Sequence, residues 1–233
     1  MQPFQDKFPV NPSFEIAKLL PEVLLPTATH PRAIRIIAYP HAVRVAYQEV
    51  RELVPALLDT YGGVVDLILH IGMASGRSFY AAERLGHRDG YDKNADLDGV
   101  KLDPADGKKY FGDCPEALMT SLDFEEIMQG WVRNIHEASG SPLSIDARAS
   151  NDAGHYLCDF IYYNSLAWYA RRNKRSVDGM VDDRPVMFFH VPAESDPDTL
   201  ERGRVALIAL IRSMAESYAV SKSYQQHFDG MGH

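Results

Sequence analysis

Apolar runs alternate with amphipathic stretches along this chain, a pattern that predicts a mostly parallel sheet covered by helices. Asn11-Pro12-Ser13 has the form of a helix start, followed by Phe14, Ile16, Leu19 and Leu20. Ala33–Tyr39 is rich in β-branched residues between Pro31 and Pro40, and predicts a strand. Val43–Tyr61 carries Val50, Leu53, Val54, Leu57 and Leu58 at helical spacing, with Pro55 predicting a kink or a late helix start. Val64–Gly72 (VVDLILHIG) is the strongest strand pattern, apolar on both faces as a central parallel strand should be. Met73–Pro115 is long and turn-rich, which predicts a functional loop or a small hairpin. Asp123 and Glu126 have capping-box spacing and open a helix running to about Ala138. Leu143–Ala149 predicts a short strand, Ala153–Arg172 a helix, Val186–Val191 a buried strand and Asp198–Tyr218 a closing helix. No repeat, low-complexity tract or linker interrupts the pattern, so one domain over residues 1–233 is expected.

Composition narrows the function classes. A net charge of −8 argues against a nucleic-acid partner, which would need clustered Lys and Arg; the basic run Arg171–Arg175 is short and suits a solvated helix end. No stretch reaches the roughly 18 apolar residues that would span a bilayer, and the first ten residues carry no apolar signal core, so a cytoplasmic protein with no membrane partner is expected. Cys114 and Cys158 are too few for a disulfide framework; each is inert packing or a reactive thiol. The nine histidines show no HExxH or paired Cys/His spacing, so neither a metal nor a cofactor is expected.

Ligand sites of open parallel sheets lie beyond the carboxyl ends of strands. Gly72-Met73-Ala74-Ser75-Gly76-Arg77 and then Glu83 follow the first long strand; Ser150–Gly154 and then Cys158 follow the second; His190 ends the third. A thiol, an imidazole and a carboxylate therefore converge on one expected sheet edge. The imidazole can take the thiol proton and return it to a leaving amine, while the carboxylate fixes its tautomer. A helix start near Cys158 is expected to favour the thiolate, and the Gly72–Gly76 turn to offer N–H groups to an oxyanion. Singly, each signal has a plainer explanation. A cysteine in an apolar helix is more often packing, His190 a satisfied core residue, and Glu83 a solvated helix charge. The turn also suits a plain β–α connection or an anion cradle, though it lacks the Lys-Ser/Thr of a Walker loop.

The segments Val10–Ser13, Gly72–Arg77, Glu83-Arg84, Ser150–Cys158 (SNDAGHYLC) and Phe189-His190-Val191-Pro192 together resemble the pyroglutamyl peptidase I family of cysteine peptidases, in order and spacing. The resemblance implies a three-layer α/β/α sandwich with a mostly parallel central sheet. It implies Cys158 as nucleophile, His190 as base and Glu83 as orienting acid, no cofactor, and pyroglutamyl-blocked peptides as substrates. It puts Tyr156 and Leu157 on the pyroglutamyl pocket, Met73 beside it at a position often occupied by glutamine, and Phe4 on one of two ring-clamping phenylalanines. The oligomeric state stays open, because the family includes monomers and tetramers. Met1-Gln2-Pro3-Phe4 begins inside the family's first turn, so the sheet is expected to lack the family's first strand and the earlier phenylalanine. Gly86–Leu97 departs from the family's loop, leaving an arginine there without a counterpart. Beside the peptidase stand two alternatives: a catalytically impaired relative acting as a binding or interaction protein, and a phosphate- or nucleoside-handling enzyme using the glycine turn.

Overall fold

A computed structural model describes residues 9–139, 144–175 and 183–229. Phe4 and the N-terminal departure from the family lie outside the described residues. The elements run α1 (Pro12–Lys18), β1 (Val23–Leu24), β2 (Ile34–Arg35), α2 (Tyr47–Tyr61), β3 (Ile68–Met73), β4 (Tyr80–Glu83), β5 (Leu85–His87), α3 (Pro104–Phe111), β6 (Ala117–Met119), α4 (Phe124–Ser139), β7 (Ala147–Ser150), α5 (Leu157–Arg175), β8 (Val186–Val191) and α6 (Pro197–Asp229).

A four-stranded sheet of order β3-β8-β4-β7 forms the middle layer. Strand β8 is buried at every position and alternates between two cores. Val186 and Phe188 join α2 and α5 on one side, in a cluster with Tyr47, Val50, Phe160 and Tyr163. Met187, Phe189 and Val191 join α1, α4 and α6 on the other, with Ile16, Ile127, Trp131 and Leu207. Helices thus cover both faces, as the three-layer expectation requires.

Several elements differ from their sequence expectation. Strand β3 begins at Ile68, because Val64 and Val65 close the turn after α2 through bonds to the Tyr61 carbonyl. Among the described residues β3 lies at an edge of the sheet, not its centre. Only Ile34 and Arg35 of Ala33–Tyr39 are strand; they pair with β1 apart from the main sheet, and Ile37 is 60% exposed. Helix α2 starts at Tyr47 and continues through Pro55. The turn-rich segment holds β4, β5 and α3, whose capping box links Asp103 and Asp106, and β5 pairs antiparallel with β6 just beyond it. Asp123 accepts from the Glu126 N–H and opens α4 as expected.

The sheet is mixed. Strands β3 and β8 run parallel, as do β4 and β7, but β4 is antiparallel to β8. The expectation of one shared carboxyl-end rim is therefore corrected: β4 and β7 point the opposite way from β3 and β8. Among the described residues, no helix is long and apolar enough to cross a membrane.

Candidate active site

Registered partners in adjacent strands present their side chains to the same face. Gly72 is registered with His190 across β3 and β8, while Ala81 faces His190 and Glu83 faces Phe188 across β4 and β8. His190 and Glu83 are therefore diagonal neighbours on the face covered by α5. Glu83 Oε1 lies 2.8 Å from His190 Nδ1, and both side chains are buried, with Glu83 at 0% exposure. The antiparallel step, rather than a common rim, brings them together.

Cys158 comes to the same place from the helix layer. It is the second residue of α5, and a Cβ added at Gly72 would stand 2.7 Å from its Sγ and 2.6 Å from Phe188 Cζ. Only glycine leaves room for the sulfur against β3, so the thiol rests on the strand position registered with His190. The loop before α5 makes this entry tight. Asp152 Oδ1 accepts from the Gly154 N–H, and Gly154 (φ +94°) and His155 (φ +42°) both take left-handed backbone. Helix α5 consequently starts at Leu157, four residues after the expected Ala153.

Arg77 is the residue that sequence reasoning passed over. Its Nη1 donates to Glu83 Oε1 at 2.6 Å and its Nη2 to the Asp152 carbonyl at 2.6 Å, tying the carboxylate to the loop before the cysteine. Its place five residues after Gly72 and six before Glu83 was visible, but its aim was not. Burial works against the Glu83 carboxylate, yet hydrogen bonds from His190, Ser150 and Arg77 outweigh it and hold the carboxyl below its ordinary range. The carboxylate can thus accept the Nδ1 proton of His190, which leaves Nε2 as the basic nitrogen.

For Cys158 the helix-start expectation fails. Burial pushes the thiol up to about 12, with Asp159 and Glu83 adding to the rise and Arg77 opposing it. Desolvation of a buried sulfur exceeds the partial charge of one helix end. The Gly72–Arg77 turn also has fewer N–H groups to offer than expected, since Ala74 donates to Val191 and Arg77 to Ala74.

The remaining expected residues border this place in different ways. Met73 ends β3 and is buried. Leu157 is fully buried inside the α2–α5 cluster. Tyr156 is half-buried, donates to the Ala95 carbonyl at 2.9 Å and meets Tyr47 edge to face at 6.2 Å.

Comparisons with known proteins agree with one another. The family model described as pyroglutamyl peptidase matches residues 1–194. The chain is 28% identical over 174 residues to pyroglutamyl-peptidase 1 of Rattus norvegicus, covering 75% of this chain and 71% of the relative. It is 26% identical over 198 residues to pyrrolidone-carboxylate peptidase of Pyrococcus furiosus, covering 84% and 81%. In fold it is similar to the pyrrolidone carboxyl peptidase of Thermococcus litoralis, with a TM-score of 0.66, 18% identity, and 92% and 90% of the two chains covered. A mutant of the P. furiosus pyrrolidone carboxyl peptidase gives a TM-score of 0.65 at 23% identity, covering 92% and 95%. The family model spans most of the chain, and the α/β/α layers agree with it: this protein belongs to the pyroglutamyl peptidase family.

Proposed function

We propose that this protein is a cysteine peptidase that hydrolyses the amide bond after an N-terminal pyroglutamyl residue. The observation that carries this reading is the buried 2.8 Å contact between Glu83 and His190, with the Cys158 sulfur packed on Gly72 beside it. Family membership supplies the substrate class.

His190 Nε2 takes the Cys158 proton as Sγ attacks the pyroglutamyl acyl carbon. The tetrahedral oxyanion forms at the N-terminal end of α5, whose partial positive charge favours it. The C–N bond breaks, the amine leaves with the proton from His190, and a thioester remains. His190 then deprotonates water, which cleaves the thioester and frees pyroglutamate. Glu83 transfers no proton; it holds the ring tautomer and stabilises the imidazolium. The resemblance assigns Met73 and Tyr156 to the walls around the lactam, an uncharged ring suited to apolar surroundings, with Leu157 behind them in the α2–α5 core.

A second reading, a relative that binds blocked N-termini without cleaving them, is favoured by the burial of Cys158, which pushes its thiol up to about 12. In the peptidase reading this is no obstacle, because deprotonation accompanies attack and needs no standing thiolate. A pyroglutamyl-amide fluorogenic reporter separates the two. Steady hydrolysis, with no hydrolysis of the matching prolyl reporter, is expected; saturable binding of the reporter with no turnover would establish the second reading instead.

A further inference from the structure

Next to this site, yet outside it, the end of β5, the loop before α5 and the first turn of α5 bring two imidazoles and a carboxylate together. One ligand atom from each of His87, His155 and Asp159 lies within 4.8 Å of the other two. His87 Nδ1 is 2.9 Å and His155 Nδ1 3.6 Å from the same Asp159 oxygen, Oδ2, and the two rings are 4.3 Å apart. A tetrahedral zinc ion with bonds of about 2.0–2.2 Å holds its ligand atoms roughly 3.3–3.6 Å apart, so both nitrogen–oxygen contacts lie within a few tenths of an ångström of that geometry, and the two imidazole nitrogens, within 4.8 Å of each other, would close onto the ion. We propose that His87, His155 and Asp159 form a binding site for a divalent transition-metal ion of the zinc type, separate from Glu83, His190 and Cys158.

Several features of the cluster are those of a built site. Asp159 is fully buried, whereas the His87 and His155 side chains are 24% and 44% exposed, so solvent reaches the cluster from the imidazole side. Asp159 Oδ1 is already committed to the His87 backbone N–H at 2.9 Å, which orients the carboxylate and leaves Oδ2 aimed at both rings. The His87 carbonyl in turn accepts from the Tyr91 hydroxyl. His155 Nδ1 also lies 3.1 Å from the Asp89 carbonyl oxygen, a hard donor at the distance expected of a fourth ligand. Two imidazoles and one carboxylate suit zinc in donor type and leave a position for that carbonyl or for water. A cation would also neutralise an anion buried beside two rings. His155 holds this place from a left-handed backbone conformation, φ +42°. Bound metal would clamp the loop before Cys158 to β5.

The test is a titration of the metal-stripped full-length protein with Zn²⁺ against a chromophoric chelator, repeated with Co²⁺ as a spectroscopic probe. One equivalent should bind. His87→Ala and His155→Ala should each weaken binding by about tenfold or more, and the double variant should lose it with an unchanged circular dichroism spectrum. The Co²⁺ complex should show d–d bands without a thiolate charge-transfer band. Asp159→Asn should also lose binding, but the partly exposed histidines keep the test sound if that buried substitution unfolds the chain. Lack of stoichiometric binding by the wild type, unchanged affinity in the folded double variant, or a thiolate band pointing to Cys114 or Cys158 would each overturn the proposal.

Discussion

Glu83 is buried completely, yet it carries a charge stabilised from two directions, by the ring of His190 and the guanidinium of Arg77. A carboxylate in that setting is costly unless each oxygen contact contributes, and removing the charge alone should hurt less than removing the base. His190→Ala is expected to lower kcat on a pyroglutamyl reporter by about 10²–10⁴-fold. Glu83→Gln keeps the shape and should lower kcat by a smaller factor, with little change in KM. Steady-state kinetics on both folded variants measures the order, and a larger loss in Glu83→Gln would contradict an orienting role. Cys158, His190 and Glu83 stand out in the sequence because chemistry limits which residues can form such a set, and the structure brings Glu83 and His190 into contact. The alternative of a solvated helix charge for Glu83 falls with its place in strand β4. Arg77 could not be assigned, because nothing in GMASGR states where a long side chain will point.

At the scale of elements, the site depends on how closely α5 approaches β3. Gly72 is the contact point, since any Cβ there must displace Phe188 or the Cys158 sulfur. Gly72→Ala is expected to cost about 1–3 kcal/mol through overpacking. It should also lower reporter turnover, since both neighbours are fixed in the core. Urea unfolding midpoints alongside reporter kinetics check this; unchanged stability and turnover would mean the contact is slack. Strand β8 was legible because VMFFHV is apolar at nearly every position, and it is the buried strand shared by both cores. Ala33–Tyr39 misled because β-branched composition reports a preference for extended backbone, not a partner: Ile37 stays in solvent. Strand β4 (YAAE) was missed for the converse reason, being short, small-sided and without alternation. Strand direction was illegible as well. The antiparallel step between β4 and β8 is set by the path of the intervening chain, which no local pattern encodes.

For the whole molecule, two helical layers close over one sheet, and titratable groups caught between them make folding depend on pH. His70 lies on β3 under α5, bonded through Nε2 to the Ser165 hydroxyl at 2.8 Å. Burial lowers it from 6.5 to about 4. Between those values the unfolded chain binds a proton that the folded chain refuses, so stability rises with pH across this window and falls on acidification. The loss attributable to His70 reaches at most about 3 kcal/mol near the bottom of the window. Urea midpoints of the wild type should drop more steeply than those of His70→Gln from about pH 6.5 down to about pH 4; parallel curves would show that His70 is not the group responsible. The layered architecture was the most legible level of all, since alternating apolar strands and amphipathic helices leave few other ways to bury both faces.

In the proposed mechanism the sulfur of Cys158 attacks the pyroglutamyl carbonyl. Its most direct test is hydrolysis of a pyroglutamyl reporter by the wild type and by a folded Cys158→Ala variant. Turnover by the wild type with none above the uncatalysed background in the variant is the predicted result. Turnover that survives loss of the thiol would contradict the account.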